Sequence, residues 1–290
     1  MKIGFIGAGK VGFSLGKYFS ENGINITGYY SQKYESAKQA AEFTNSKPYH
    51  TINELVSESN IIFITVPDSK IKSVYDEIKY MDISGRQLCH CSGAMTTAEA
   101  FPDITKYNAY GYAIHPLFPI SSKYNSYNEL KNAFFCIEGN YMHLEQWNCF
   151  FKKIGNPTRI ISAEMKHEYH TACTIASNLV CALIAESLSL MKKCGFTEEE
   201  ALDAMKPLVI SNINHIFEVG PVTALTGPVE RCDTATVSKH LSCIKSEPDN
   251  EIYRYVSMKL TELAQAKYPD KDYSSMKQLL LSEKYKKSTS

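Results

Sequence analysis

The sequence predicts an α/β protein: a doubly wound, mostly parallel sheet in the first half and an all-α second half. Three observations predict it. Strand-like and helix-like segments alternate up to Ser162, which implies βαβ units. A glycine-rich turn of the form GxGxxG joins the first strand to the first helix. Beyond Ser162 there is no convincing strand, only long helical stretches. With 290 residues, 44% hydrophobic and 21% charged, the chain has the length of two domains and the composition of a globular protein. The organisation expected is therefore an α/β domain over 1–162, an all-helical domain over 163–285 and a flexible tail over 286–290.

Each element has its own signal. KIGFIG (Lys2–Gly7) is a short apolar run closed by glycine. KVGFSLGKYFSENG follows with helical spacing and stops at Asn22-Gly23. Ile24–Tyr30 reads as the next strand and YESAKQAAEF as a helix. Asn60–Val66 is β-branched and stops at Pro67. Gly85–Ser92, Tyr110–Pro116, Ala133–Gly139 and Pro157–Ser162 complete the strand set. The helical half is expected over Ala163–Cys194, Thr197–Glu218, Ala235–Ser246 and Pro248–Tyr268, with a short last helix near Tyr273–Tyr285. TEEEAL (Thr197–Leu202) opens one of these with an N-cap and acidic first turn.

Charge and cysteine usage exclude some functions. Basic and acidic residues balance at 31 each, so nothing marks a nucleic-acid binder. Nine scattered cysteines without CxxC spacing suit a reducing cytoplasm, and Met1 runs straight into an apolar strand. A cytoplasmic protein with no metal is expected: in Cys89–His90–Cys91 only the two cysteines share a strand face. The apolar stretch around Ala176–Met191 contains Glu186 and reads as too short to span a bilayer.

The turn holds Gly7, Gly9 and Gly12. After a strand and before a helix, that spacing makes a pyrophosphate site. The first glycine allows the turn, the second lets the backbone approach the ligand, and the third lets helix and strand pack. Lys10 and Val11 enter the same site in the helix's first turn, where free N–H groups meet phosphate. An NAD-type site wants a carboxylate at the end of the second strand. Ser31, Gln32 and Lys33 stand there instead, which suits a 2′-phosphate and predicts NADP(H).

Ligands in such sheets lie beyond the carboxyl ends of the strands. Val66 and Pro67 fall there, placed for the nicotinamide end, as do Ser92, Gly93 and His115. Ser92 and Gly93 offer a hydroxyl and N–H groups to a carboxylate, or form only a turn. His115 is a reacting group or a satisfied structural histidine. In HEYHTACTIASN (167–178), His170, Thr174, Ser177, Asn178 and Cys181 fall within one helical stripe, polar first and apolar beyond. That pattern suggests a cleft wall. In Gly220–Leu241, Arg231 is a carboxylate clamp or a structural ion pair, Asp233 an N-cap or its partner, and His240 a further candidate.

These residues together carry a resemblance. GFIGAGKVG, VPDSKI, CHCSGA, IHPLFP, HEYHTACTIASN and ALTGPVERCDTATVSKHL resemble the Rossmann-like proteins bearing the domain of unknown function DUF2520, up to about Tyr268. The first half is also similar to pyrroline-5-carboxylate reductases and β-hydroxyacid dehydrogenases. The resemblance implies an NADP-binding Rossmann domain, a helical second domain and a homodimer through it. Some members of the family are an alternative class of ketopantoate reductase in pantothenate synthesis. Related dehydrogenases open this helix with Lys-x-x-x-Asn, the Lys donating the proton. Here Asn178 fits the Asn, but Thr174 stands at the Lys position. His170 is then the first choice for proton donor, with a free pKa near 6.5. His115 and His240, the latter from a partner subunit, are its rivals.

Three functions follow. The first is an NADPH-dependent reductase of a small anionic 2-oxo acid, ketopantoate foremost, with Asn178 and Ser92 orienting the carbonyl. The second is an imine reductase, since an iminium needs no strong acid. The third is a non-catalytic NADP sensor whose helices bind a protein.

Overall fold

The computed structural model describes residues 1–281. The first half alternates as expected: β1 (Lys2–Ile6), α1 (Lys10–Glu21), β2 (Asn25–Tyr30), α2 (Tyr34–Thr44), β3 (Lys47–Tyr49), α3 (Ile52–Glu58), β4 (Ile61–Ile64), α4 (Asp68–Ile78), β5 (Gln87–His90), α5 (Thr97–Ala100), β6 (Tyr110–Leu117), β7 (Phe134–Gly139), α6 (Tyr141–Lys153) and β8 (Thr158–Ile160). One eight-stranded sheet has the order β3-β2-β1-β4-β5-β6-β7-β8. Every neighbouring pair is parallel except β6 with β7, which is antiparallel. The strand order reverses between β1 and β4, where such sheets hold their ligands.

The two-residue period of a strand sorts the core. On β4, Ile61 and Phe63 face a layer containing Phe13, Phe19 and Trp147. Ile62 and Ile64 face the opposite layer, with Leu55, Tyr75 and Phe101. Four consecutive buried apolar residues are what a strand covered on both faces requires. The sequence reading lacks β3, a three-residue edge strand that holds Pro48, and it does not mark α3, α4, α5 or α6.

The helical stretch expected as one helix over Ala163–Cys194 is two: α7 (Lys166–Ala176) and α8 (Asn178–Lys193). Ser177, at φ −124 and ψ −72, is not helical, and its hydroxyl donates to the Cys173 carbonyl at 2.7 Å. Such back-bonding bends or breaks a helix. The stripe from His170 to Cys181 is thus interrupted at its centre.

The chain splits into two compact units, Met1–Ser177 and Asn178 onward, so α7 goes with the sheet rather than with the helices that follow. The second unit contains α8, α9 (Glu198–Val219), α10 (Pro221–Ala224), α11 (Pro228–Arg231), α12 (Thr234–Cys243), α13 (Glu247–Lys267) and α14 (Ser274–Leu280). Val229, Val237, Leu241, Met276 and Leu280 form its small core. Thr197 caps α9 with a full capping box closed by Glu200. The end of the expected helix near Tyr273–Tyr285 and the tail 286–290 lie outside the described residues.

Candidate active site

The carboxyl ends of β1, β2 and β4 frame a cleft of about 400 Å³. Gly7, Gly9, Ser31, Gln32, Val66 and Pro67 all line it. The three glycines serve different ends. Gly7 has φ +110, and a Cβ there would stand 2.8 Å from the Thr65 carbonyl oxygen. A Cβ on Gly12 would lie 2.5 Å from the Gly7 carbonyl oxygen, so the helix could not close on the strand. Gly9 differs: φ is −82 and a Cβ would meet only the Thr65 oxygen, at 3.9 Å. The protein's own packing does not require glycine at 9, whereas a pyrophosphate approaching the backbone does.

Gly9 caps α1 without a side-chain hydrogen bond, and the first turn holds no acidic residue. Its leading N–H groups are thus open to an anion, and the one carboxylate among the cleft's lining residues is Glu77 of α4. At the end of β2, Ser31, Gln32 and Ser36 line the cleft, and no carboxylate follows the strand as an NAD-type site would require. Ile52 and Val74 add apolar wall of the kind a nucleobase face accepts. These residues fit a dinucleotide with a 2′-phosphate. Lys10, Val11, Gly12 and Lys33, expected here, do not line the cleft: Lys10 and Lys33 are exposed, and Gly12 lies beneath the turn. The sequence reading also misses one wall. Lys70, Ser73, Val74 and Glu77 of α4 line the cleft at helical spacing, a signal that was available in DSKIKSVYDEI.

A second cluster sits at the ends of β5 and β6. Val66 and Pro67 lead into Asp68, whose carboxylate accepts from the Ser92 hydroxyl at 2.5 Å. The same hydroxyl accepts from the Met95 N–H at 3.0 Å. Ser92 therefore fixes its loop, with one lone pair left for a ligand. His115 Nδ1 lies 2.7 Å from the Tyr169 hydroxyl on α7. The His115 and His170 rings stand 6.4 Å apart, nearly edge to face. Both crowd Gly93, where a Cβ would be 2.5 Å from His170 Cδ2 and 3.0 Å from His115 Nε2. Ser92, Gly93, His115 and His170 thus come together.

The unexpected member is Lys166, 2% exposed, whose ammonium donates to the Ser92 carbonyl at 3.0 Å. Burial lowers its pKa, and the carboxylate of Glu138 partly opposes that. Its charge reaches the neighbours. His115 is pushed down to about 4 by burial, then by Lys166 and His170. His90, wholly buried, falls to about 3 by burial and the same lysine. Both rings are neutral at pH 7. Burial also raises the Cys91 thiol to about 12, so Cys89–His90–Cys91 is an inert strand end. Among the described residues no cluster could hold a metal ion.

Asn178, Arg231 and His240 belong to the second unit, and Thr174 to α7 of the first. Asp233 is an N-cap: its carboxylate accepts from the Thr236 N–H at 3.0 Å and from its hydroxyl at 2.7 Å. Arg231 is exposed and forms no ion pair with it within 4.0 Å. His240 Nδ1 lies 2.8 Å from the Tyr253 hydroxyl on α13.

Comparisons with known proteins agree with this arrangement. The profile of the family described as NADP oxidoreductase, coenzyme F420-dependent, matches residues 2–88, and that of DUF2520 matches residues 133–260. None of the curated proteins matches. Among solved structures, a Bacteroides fragilis protein described as an NADP oxidoreductase is 21% identical over 90% of this chain and 98% of its own, with a TM-score of 0.71. The protein TM1727 of Thermotoga maritima is 26% identical over 91% and 98%, with a TM-score of 0.71. An imine reductase from Pseudomonas sp. shares the fold, at 15% identity over 91% and 97% and a TM-score of 0.64. The sheet order, the phosphate-binding turn and both family profiles are consistent with the Rossmann-like NADP oxidoreductases.

Proposed function

We propose that the protein is an NADPH-dependent reductase of a small anionic 2-oxo acid, with ketopantoate as the substrate to test first. One observation carries this reading. Beside the nucleotide cleft lies a buried cation, Lys166, flanked by histidines held neutral. The two carboxylates nearby, Asp68 and Glu138, are engaged by the Ser92 hydroxyl and by Thr97. Such a site favours an anion.

NADPH, when bound, supplies the hydride. The chain does the rest. The turn at Gly7 and Gly9 with the first turn of α1 holds the pyrophosphate, and Ser31 with Gln32 holds the 2′-phosphate. The Ser92–Gly93 loop and the His115–Tyr169 pair contact the substrate. Asn178 orients the carbonyl and His170 returns the proton. Thr174 and Arg231 complete the substrate contacts, with His240 from a second copy. Mixing protein, NADPH and ketopantoate and following NADPH absorbance tests this. Turnover of another 2-oxo acid alone moves the substrate; turnover of none removes the reading.

A second reading is an imine reductase. The histidines held neutral favour it, because an iminium arrives with its own proton and needs no acid. A cyclic imine carboxylate consumed with NADPH, where ketopantoate is not, selects it.

The proposal includes a homodimer. No residue of α8 is buried, and Leu179, Leu183, Leu208, Ile210 and Phe217 of α8 and α9 are exposed, Phe217 at 85%. A second copy covers this face. The stretch Ala163–Lys193 contains an 18-residue segment of mean hydropathy 1.6, long and apolar enough to cross a bilayer, longer than the sequence reading allowed. The break at Ser177 and the polar groups of α7 favour a cytoplasmic dimer instead.

A further inference from the structure

Two oddities meet on one peptide bond. Lys166 is among the few buried charged residues, and burying an ammonium costs several kcal/mol unless it is well paired. Yet no carboxylate lies within 4.0 Å of it, and its one hydrogen bond goes to the Ser92 carbonyl. On the other side of the same peptide is the Gly93 N–H. Gly93 is buried, and among the described residues its N–H meets no acceptor. Buried backbone N–H groups without a partner are rare.

The two are mechanically linked. The peptide is trans, so its carbonyl and N–H point in opposite directions. A cation on the carbonyl draws electron density from the nitrogen and makes the N–H a stronger donor. A neutral donor would hold the loop equally well without the desolvation cost. His170 Cδ2 and His115 Nε2 close in on Gly93, at 2.5 and 3.0 Å from where a Cβ would stand, and neither ring carries a negative charge.

We propose that Lys166 is a positioning residue for the substrate's negative charge. Its ammonium polarises the Ser92–Gly93 peptide, and the Gly93 N–H receives a carboxylate oxygen of the substrate. The inference rests on the reductase reading for the identity of that carboxylate, and it adds a residue at the start of α7.

The test uses oxamate, an unreactive 2-oxo acid analogue, with the full-length protein saturated with NADP+. Labelling serine with 13C at the carbonyl and glycine with 15N marks only Ser84–Gly85 and Ser92–Gly93, and Ser84→Ala removes the first. The Gly93 amide proton is expected to shift downfield and to saturate with oxamate. Lys166→Met is expected to weaken oxamate about tenfold, the difference between a charge-assisted and a neutral hydrogen bond. Lys166→Arg is expected to recover most of it. A Gly93 amide that ignores oxamate in the unaltered protein overturns the inference, whether or not Lys166→Met folds. So does unchanged affinity in a folded Lys166→Met. The titration needs no turnover. A responding amide in a protein that never oxidises NADPH keeps the anion site and removes the reductase; turnover with a silent amide does the reverse.

Discussion

Alanine at Gly9 and alanine at Gly12 separate cofactor binding from folding. At Gly9 the backbone (φ −82) accepts any residue, and the added Cβ meets nothing closer than 3.9 Å. Replacing glycine there restricts the unfolded chain and is expected to leave stability unchanged or raise it by about 0.4–1 kcal/mol. At Gly12 the Cβ would stand 2.5 Å from the Gly7 carbonyl oxygen and 2.6 Å from Thr65 Oγ1. The first is backbone and cannot swing aside. Overpacking of this kind costs about 1–3 kcal/mol, against a helix-propensity gain of about 1 kcal/mol. A net loss of up to about 2 kcal/mol lowers Tm by up to several degrees, at roughly 2–4 °C per kcal/mol. Both variants are expected to bind NADPH at least about tenfold more weakly, or 1.4 kcal/mol. Thermal unfolding and NADPH fluorescence titration measure the two effects. Gly9→Ala binding NADPH within a factor of about two, or unfolding like Gly12→Ala, would refute the assignment of Gly9 to the ligand.

Other outcomes follow from the same geometry. Ser31→Asp puts a carboxylate at the proposed 2′-phosphate site, so NADPH affinity should fall about tenfold or more while NADH affinity rises, read by the same titration. Burial lowers the folded His115 pKa from 6.5 to about 4, so between those values the unfolded chain takes a proton that the folded chain refuses. Stability from this group is complete above pH 6.5 and falls toward pH 4, by roughly 2 kcal/mol at pH 5. Urea unfolding at pH 7 and pH 5 should show that loss, and His115→Asn should reduce it. The 32.6 kDa chain should sediment at twice its mass, and Leu208→Glu with Phe217→Glu should return it to the monomer. A double variant that still sediments as a dimer would place the interface elsewhere.

Much of the first half was legible because its signals are local. Ile61, Ile62, Phe63 and Ile64 form an unbroken apolar run, which a strand covered on both faces needs and a surface strand cannot tolerate. The glycine spacing was legible because each glycine answers a separate steric demand at a fixed offset from the strand. The second strand's end announced the cofactor by the charge it lacks. What was not legible depends on contacts between distant segments. Lys47–Tyr49 is a strand only because β2 offers it a free edge. The α4 wall was visible as a period but not as a wall, since nothing in Lys70, Ser73, Val74 and Glu77 says which neighbour they face.

The hardest case is the helix over 166–178. Helical periodicity extends a stripe from His170 to Cys181 as though the axis were straight. Ser177 turns its hydroxyl back onto the Cys173 carbonyl, and the stripe ends there. The search for a lysine four residues before Asn178 finds Thr174 and directs attention to His170. It overlooks Lys166, because a lysine at the start of an amphipathic helix reads as a solvated end. Only the Ser92 carbonyl, 74 positions earlier in the chain, turns that end inward. Charge therefore enters this site from a place the related dehydrogenases' motif does not name. If Lys166 sets the field there, anion binding does not depend on His170. His170→Gln should then leave oxamate affinity nearly intact while slowing turnover, whereas Lys166→Met weakens both. Equal losses of oxamate affinity in the two variants would show that the anion depends on His170 as much as on Lys166.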